Sequence, residues 1–356
     1  MHRSASSRAA HARWATLAGT AALLTACALV VRQQTRRAER QHPPQGRFVS
    51  VDGVRLHFTV HGRDEAAQTV VLLHGEGSLG AEFELSGLVR LASERYRVVV
   101  FDRPGHGHSE PLDHPTPQRQ AELIHAALER LGVQDPVVVG HSYGALVALA
   151  MGLAHPGGVG SLVLASGYYF PTLRLDLPWM AAPALPGLGT LWRHTVAPLL
   201  ARALWPLAVR RMFSPSPTPS AFRERFPKGL TLRPSDLGAS ARESASLLPA
   251  TLALQQHYHE LDVPSVLVAG AQDRELSTRW HSRRLHERLA RSWLRVVEDS
   301  GHMVHHVATG QVMASIDQAA AMVWDRSLLL RTPSGLKSSE PAAVARPLPF
   351  MPCAKV

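Results

Sequence analysis

The stretch that most constrains this chain runs from Val137 to Leu146, where a strand meets a helix through Gly140-His-Ser-Tyr-Gly144. Three valines predict the strand, and the Ala/Leu-rich segment that follows predicts the helix. Glycines two residues before and two after Ser142 permit a turn in which a Cβ would collide with neighbouring elements. Such a turn exposes the serine hydroxyl at a sheet edge and points the N–H of Tyr143 toward the group under attack. The stretch predicts a nucleophile elbow; a simple glycine-flanked turn is the alternative.

The chain on either side alternates between strands and helices. Residues 47–62 alternate apolar and polar side chains about Asp52-Gly53, which predicts a hairpin with a two-residue turn. Short apolar runs predict buried strands, and their alternation with helices implies a parallel sheet with right-handed crossovers. The predicted strands are Thr69–Gly75, Tyr96–Asp102, Val137–Val139, Ser161–Ala165, Pro264–Gly270 and Trp293–Val297, and the predicted helices are Phe83–Ala92, Gln118–Leu131, Ala145–Ala154, Ser277–Leu289 and Thr309–Val323.

One long segment interrupts this alternation. Residues 168–263 are rich in Pro, Leu, Ala and Trp, and their length far exceeds that of an ordinary loop. We predict that they form a helical cap inserted into a core made of residues 47–167 and 264–325. Residues 326–356 contain five prolines and are predicted to be disordered.

The N-terminal region contains an apolar segment. Residues 14–31 carry no charge and follow the basic segment 1–13. Eighteen helical residues span about 27 Å, just enough for the hydrocarbon core of a bilayer. We predict a transmembrane signal-anchor helix over 14–31 and a polar linker over 32–46. A cleaved secretory signal and a lipoprotein modified at Cys27 are the alternatives. Arginines flank the segment on both sides, so charge does not decide the orientation.

The net charge of +10 is concentrated at the chain ends. Residues 1–40 hold seven arginines and one glutamate, and residues 326–356 hold five basic residues and one glutamate, so residues 41–325 are formally neutral. A nucleic-acid-binding protein needs a basic face on a folded domain, and the neutral core disfavours that role. The two cysteines, Cys27 and Cys353, lie in the terminal segments, so the predicted core can form no disulfide.

Two residues near the C-terminus are candidate partners for the serine. A serine nucleophile needs a base, and the base needs an orienting carboxylate. Asp273 and His302 each follow a predicted strand, and the carboxyl ends of parallel strands form the ligand edge of a sheet. We predict Ser142 as nucleophile, His302 as base and Asp273 as acid. The alternatives are a helix cap at Asp273, with Asp299 or Glu275 as the acid, and a solvated loop position for His302.

The loop after the Thr69–Gly75 strand is the candidate source of a second oxyanion donor. We predict that the Glu76 N–H acts together with the Tyr143 N–H. The Glu76 carboxylate would repel a developing oxyanion unless it points away or a neighbouring donor holds it. His74-Gly75 suits a tight turn at the strand end, and Asp102-Arg-Pro-Gly105 is predicted to be a structural turn.

The sequence predicts neither a metal nor a cofactor. His302, His305 and His306 lie close together along the chain, but no carboxylate or cysteine accompanies them at the spacing of metal ligands. We place His305 and His306 in the first turn of the following helix.

Several motifs together resemble those of the α/β-hydrolase fold superfamily, over about residues 47–325. They are His74-Gly75, Asp102-Arg-Pro-Gly-His-Gly-His-Ser109, Gly140-His-Ser-Tyr-Gly144, Gly270-Ala-Gln-Asp273 and Ser300-Gly-His302. The set is most similar to the capped branch that contains haloperoxidase-like esterases, carbon–carbon bond hydrolases and epoxide hydrolases. The resemblance implies a mostly parallel eight-stranded sheet flanked by helices, with the cap between strands 6 and 7. It implies the triad and oxyanion donors named above, although Glu76 departs from the usual small or neutral residue.

The resemblance also bears on function. Epoxide hydrolases and dehalogenases of this superfamily use Asp as nucleophile, so Ser142 favours acyl transfer to water. We predict a membrane-anchored serine hydrolase, a carboxylesterase for a small hydrophobic ester, because the cap is rich in aromatic side chains. A carbon–carbon bond hydrolase or an acyltransferase with the same triad is the alternative, and a catalytically silent membrane-tethered binding module is an alternative of another class. The aromatics could instead pack the cap core, and Leu199–Phe213 could lie on a bilayer surface. These aromatics are Tyr168, Tyr169, Phe170, Trp179, Trp192, Trp205 and Phe213.

Overall fold

An eight-stranded sheet organises the fold. The computed structural model describes residues 3–172 and 181–331. The strands are β1 (Arg47–Val51), β2 (Val54–His61), β3 (Thr69–Leu73), β4 (Arg97–Phe101), β5 (Val137–His141), β6 (Ser161–Ala165), β7 (Ser265–Gly270) and β8 (Ser292–Val297). Their spatial order is β1-β2-β4-β3-β5-β6-β7-β8. The β1/β2 and β2/β4 pairs are antiparallel and the other pairs are parallel, which confirms the predicted sheet.

The first two strands form the predicted hairpin. Val51 pairs with Val54, so that Asp52 and Gly53 alone make the turn. Both turn residues have positive φ, +49° and +78°, as the turns that match the twist of paired strands require.

Helices cover both faces of the sheet. They are α1 (Arg3–Gln41), α2 (Ala81–Leu85), α3 (Leu88–Ser93), α4 (Pro117–Arg130), α5 (Tyr143–Ala154), α6 (Leu188–His194), α7 (Ala197–Phe213), α8 (Ser220–Arg225), α9 (Lys228–Thr231), α10 (Pro234–Leu254), α11 (Arg284–His286), α12 (Val304–Val307) and α13 (Thr309–Arg331). Side chains of β3 alternate between the faces. Val70 and Leu72 pack with α3 and α13, whereas Val71 and Leu73 pack with α4 and α5. Burial on both faces explains the continuous apolar runs of the central strands.

The cap lies between β6 and β7, as predicted. Helices α6 to α10 form it, and an apolar cluster, here called the cap core, contains Phe213, Phe222 and Phe226 together with Leu79 and Met303 of the α/β core. Trp205 stacks on Phe226. These aromatics therefore pack the cap. Trp179 lies outside the described residues.

Helix α1 departs most from the prediction. It continues to Gln41, so the predicted linker over 32–46 is wrong for its first ten residues. Partly and fully buried side chains lie along one side of its C-terminal half, at Leu24, Cys27, Val31 and Ala38, with spacings of three, four and seven residues. Val31 is 3% and Ala38 is 4% exposed, and Ala38 joins the cap core. The helix thus packs against the cap along its polar C-terminal end as well.

The same helix has the dimensions of a membrane span. Within the described residues, Arg13–Gln41 is long and apolar enough to cross a membrane, a property that signal sequences near an N-terminus share. Its exposed apolar side chains include Trp14, Leu17, Leu23 and Leu29.

Three helix boundaries near the C-terminus also differ from the prediction. A π turn (Arg279–Arg283) and the short α11 replace the continuous helix predicted over Ser277–Leu289. Helix α12 is a separate turn that contains His305 and His306. The last helix, α13, runs to Arg331, so the predicted disorder is wrong for 326–331, and the remaining residues of that tail lie outside the described chain.

Candidate active site

The strand–turn–helix around Ser142 is as tight as the sequence indicates. Ser142 has φ of +54° and ψ of −117°, a strained conformation for a residue with a side chain, and α5 begins at the next residue. A Cβ at Gly140 would lie 2.3 Å from the carbonyl oxygen of Gly144. A Cβ at Gly144 would lie 2.2 Å from the carbonyl oxygen of Leu73. Only glycine fits at either position, which explains the pattern.

The structure brings Ser142, His302 and Asp273 together. The Ser142 Oγ lies 3.0 Å from His302 Nε2, and His302 Nδ1 lies 2.8 Å from Asp273 Oδ2. The other Asp273 oxygen accepts the backbone N–H groups of Glu275 and Leu276, at 2.8 and 2.9 Å. Asp273 therefore caps the turn after β7 and contacts the histidine at the same time. The side chain of Glu275 forms an ion pair with Arg211 of α7.

Electrostatics favour an ionised Asp273 beside a basic His302. Burial acts to lower the pKa of His302, but the Asp273 carboxylate outweighs it and raises that pKa above its usual value. Burial acts to raise the pKa of Asp273, but the charge of His302 and its hydrogen bonds outweigh this and lower it. An imidazole held in this way can accept a proton from a hydroxyl 3.0 Å away.

The predicted oxyanion loop lies against the serine. A Cβ at Gly75 would lie 3.2 Å from the Cβ of Ser142. The N–H of Tyr143 belongs to the first turn of α5 and points away from the helix without an intrahelical acceptor. The hydroxyl of Ser244 donates a hydrogen bond to the Glu76 carboxylate, which is the neighbouring donor that the sequence argument requires. The Glu76 and Tyr143 N–H groups stay the candidate oxyanion donors.

Arg103 belongs to the predicted structural turn Asp102–Gly105, and its side chain holds the oxyanion loop in place. Its guanidinium donates to the carbonyl oxygens of His74 (2.7 Å) and Gly75 (2.9 Å). It also pairs with Glu243 of the cap, and both side chains are fully buried. His74 Nε2 accepts the Arg103 N–H while Nδ1 donates to the Gly75 carbonyl, and burial lowers the pKa of His74 well below its usual range. A neutral His74 and a charged Arg103 thus fix the loop and tie it to the cap.

A second polar group, which the sequence does not predict, lies beside the base. Glu82 Oε1 is 3.5 Å from His141 Nδ1 and 3.7 Å from His305 Nε2. The expectation that no carboxylate joins these histidines is wrong, because Glu82 is distant in sequence and arrives on α2. Ligand atoms of the three side chains lie within 4.8 Å of one another, a donor set that could hold a metal ion.

Hydrogen bonds and burial shift the pKa values of Glu82 and His305 in this group. His141 Nε2 lies 3.1 Å from the backbone oxygen of His302, which links the group to the base. Burial acts to raise the pKa of Glu82, but His141 and Ser78 outweigh it and lower that pKa. Burial lowers the pKa of His305 well below its usual range. The group is a buried carboxylate among imidazoles, directly behind the Ser142–His302 pair.

A cavity of about 160 Å³ opens over Ser142. Its polar wall includes the carboxylates of Glu76, Glu82 and Glu275, and among the described residues that line it there is no Arg or Lys. Its apolar wall consists of Tyr168, Met212, Leu247, Leu276 and Met303. Of the cap aromatics named from the sequence, Tyr168 therefore lies at the site.

Curated relatives match part of the chain. A 2-hydroxy-6-oxononadienedioate/2-hydroxy-6-oxononatrienedioate hydrolase of Cupriavidus pinatubonensis is 32% identical over 149 residues, which cover 40% of this chain and 52% of that protein. A 2-hydroxymuconate semialdehyde hydrolase of Pseudomonas putida is 33% identical over 159 residues, which cover 43% and 56%. The chain thus spans about half the length of these relatives.

Solved structures share the fold over most of their length. A hydrolase from Pseudomonas aeruginosa has a TM-score of 0.63 at 18% identity, covering 78% of this chain and 99% of that chain. The enol-lactonase from Burkholderia xenovorans has a TM-score of 0.62 at 19% identity, covering 77% and 100%. A membrane phospholipase A has a TM-score of 0.59 at 22% identity, covering 89% and 99%. At such identities the likeness concerns the fold alone.

A family match accounts for the core described above. Residues 70–315 match the sequence profile of the alpha/beta hydrolase family. This segment contains the elbow, the cap and both residues that meet Ser142, and it exceeds half of the 356-residue chain. The chain therefore belongs to the alpha/beta hydrolase family and is related to hydrolases.

Proposed function

We propose that the protein is a membrane-anchored serine hydrolase that cleaves a carboxylic ester of a hydrophobic molecule. The observation that carries the proposal is the chain of two short contacts from Ser142 through His302 to Asp273. A hydroxyl, a raised-pKa imidazole and an ionised carboxylate in this order are the components of acyl-enzyme catalysis.

In the first half-reaction Ser142 is acylated. Its Oγ attacks the ester carbonyl while His302 Nε2 accepts the hydroxyl proton, and Asp273 stabilises the imidazolium. The N–H groups of Glu76 and Tyr143 would stabilise the tetrahedral oxyanion. The intermediate collapses, the bond to the alcohol oxygen breaks, and His302 returns the proton to that alcohol.

In the second half-reaction water releases the acid. His302 removes a proton from a water molecule, whose oxygen attacks the acyl carbon. Collapse of the second tetrahedral intermediate breaks the bond to Ser142 Oγ, which regains its proton from His302. An acceptor alcohol in place of water would make the same site an acyltransferase.

A carbon–carbon bond hydrolase with the same triad is the second candidate, because the relatives named above carry that kind of name. The substrate in the name of the Cupriavidus relative is a dioate, a dianion at neutral pH. In this chain, no Arg or Lys is among the described residues that line the pocket over Ser142. The pocket therefore lacks a permanent positive charge to bind the two carboxylates of a dianion, and this favours a neutral ester.

Helix α1 supports the anchored form. An uncleaved helix that packs on the cap would hold the site beside a bilayer, whereas a signal cleaved near Cys27 would remove the apolar half of the helix. Both termini of the apolar segment are basic, so the side of the membrane is left open.

Labelling of the full-length protein in detergent with a fluorophosphonate tests the proposal, beside Ser142→Ala. We expect the native protein to be labelled and the Ser142→Ala variant not to be. We also expect the native protein to hydrolyse neutral aryl esters, with the highest rates for those with longer acyl chains. Faster cleavage of a dioxo acid than of any ester would favour the carbon–carbon hydrolase. A folded native protein that neither labels nor turns over either substrate would support a silent binding module.

A further inference from the structure

A second and larger cavity lies on the cap. It measures about 1,010 Å³, near the upper end of the range typical of small-molecule sites. We call it the cap groove; its walls are leucine-rich faces of α6 and α7, a short stretch of α10 and one residue of α1, Leu24. Among the described residues on its wall, Glu76 and Arg211 carry charge. An apolar space of this size needs an apolar occupant.

The rim of the cap groove is itself apolar and exposed. Leu188 of α6 is 77% exposed and Leu207 of α7 is 67% exposed. Leu200, Leu204 and Leu207 follow the i, i+4, i+7 spacing of one helix face, and this face points outward. A helix that turns its apolar face away from the protein core is typical of helices at a membrane interface.

The contacts of α1 set the depth of the groove relative to the anchor. Ala38 is buried in the cap core, and Glu39 contacts Arg233 of the cap at 3.4 Å. Leu24 lies seven residues before Val31, the last residue of the predicted apolar span, which is about 10 Å along the helix. With α1 in a bilayer, the mouth of the groove beside Leu24 lies inside the hydrocarbon layer, at the depth usual for interfacial helices.

The cap groove adjoins the cavity over the serine. Glu76 lines both the cap groove and the 160 Å³ cavity that contains Ser142. Its carboxylate is held by Ser244 of the cap, and its N–H is the proposed oxyanion donor. The two spaces therefore meet at Glu76, so a hydrocarbon chain in the groove has its end beside the cavity that contains Ser142.

We infer that the substrate is a long-chain acyl ester resident in the bilayer, whose hydrocarbon chain enters the cap groove sideways past Leu24 and presents its ester to Ser142. This inference rests on the proposed hydrolase function and adds the substrate class and the route of entry. The groove takes up the hydrocarbon chain, and the smaller cavity over Ser142 takes up the ester and the alcohol.

The test uses full-length protein in phosphatidylcholine vesicles with two probes. p-Nitrophenyl palmitate partitions into the bilayer, and p-nitrophenyl acetate dissolves in water. Leu24→Trp narrows the mouth of the groove; the matched control is Leu23→Trp, because Leu23 is exposed and lies outside the groove lining. We expect Leu24→Trp to lower the palmitate-to-acetate turnover ratio at least about tenfold, since losing contacts of even one methylene has such an effect. Leu23→Trp should keep the native ratio.

A second pair tests the outer face. Leu204→Glu places a charge on the groove wall. The control, Leu252→Glu, places the same charge at an exposed position of α10 that does not line the groove. The ratio should fall for the first variant alone. Either of two results would overturn the inference: the same palmitate-to-acetate turnover ratio in both members of a pair, or a native protein that prefers the acetate ester. Fluorophosphonate labelling of Ser142 would still support the hydrolase in both cases. If fluorophosphonate did not label the native protein, both the hydrolase function and the bilayer substrate would be overturned.

Discussion

The brace formed by Arg103 offers a quantitative test of how the site is held. Arg103 and Glu243 have no exposed side-chain surface, and the guanidinium also donates to the carbonyls of His74 and Gly75. Arg103→Met leaves the Glu243 carboxylate buried without its counter-charge. Breaking a buried pair from one side costs about 3–5 kcal/mol, a large part of a total stability of about 5–15 kcal/mol.

The double variant separates the charge from the packing. In Arg103→Met/Glu243→Leu neither charge is buried, so we expect it to recover most of the loss, as apolar replacements of buried pairs often do. Urea unfolding in detergent, followed by tryptophan fluorescence, gives the free energies from midpoint and slope. The control is Arg90→Met, which removes an exposed ion pair with Glu94 and should leave the midpoint unchanged.

Activity adds a second readout, because Arg103 holds the backbone of the oxyanion loop. A displacement of about 1 Å can lower a rate about a hundredfold, so the double variant should be stable but slow to label with fluorophosphonate. An Arg103→Met protein within about 1 kcal/mol of the native stability, or a double variant that is less stable than the single one, would refute the reasoning.

Three further predictions concern the proposed triad and elbow. Asp273→Asn should lower kcat about 10,000-fold, measured on an aryl ester, and a loss under about tenfold would place the acid elsewhere. The proposed base must be neutral, so kcat/KM should fall as pH decreases through the raised pKa of His302. The apparent pKa of this fall should lie above 6.5 and should be lower in Asp273→Asn. An apparent pKa below 6.5 in the native enzyme would contradict the assignment of His302 as the base. Gly144→Ala should abolish folding, as judged by circular dichroism, because its Cβ would lie 2.2 Å from the Leu73 carbonyl oxygen, whereas Gly157→Ala, with nothing within 4 Å, should fold normally.

The sheet and the meeting of three distant residues could be predicted because both follow from local signals. Apolar runs define the strands, and a parallel sheet brings the ends of its strands to one edge. Asp273 and His302 each lie in the loop that follows a strand, so their approach to Ser142 needed no knowledge of side-chain packing.

The rest depends on contacts that no local pattern records. Glu82 reaches His305 across more than two hundred residues, and Arg103 meets Glu243 only because the cap docks on the core. The error over residues 32–41 has another cause. Arg, Gln, Ala and Glu dominate that stretch and are strong helix formers, so polarity alone did not justify a linker.

The position of the cap groove beside the proposed anchor has an energetic rationale. Moving an acyl chain from bilayer to water costs about 0.8 kcal/mol per methylene, so about twelve methylenes cost about 10 kcal/mol, or about ten million-fold in occupancy. A groove that opens within the hydrocarbon avoids this step, because the chain passes from one apolar medium to another. The exposed leucines of α6 and α7 would be unfavourable in water for the same reason. An anchored, bilayer-facing cap would thus account for two features at once: the exposed leucines of α6 and α7, and a groove lined by Leu24 and by Glu76, which also lines the cavity over Ser142.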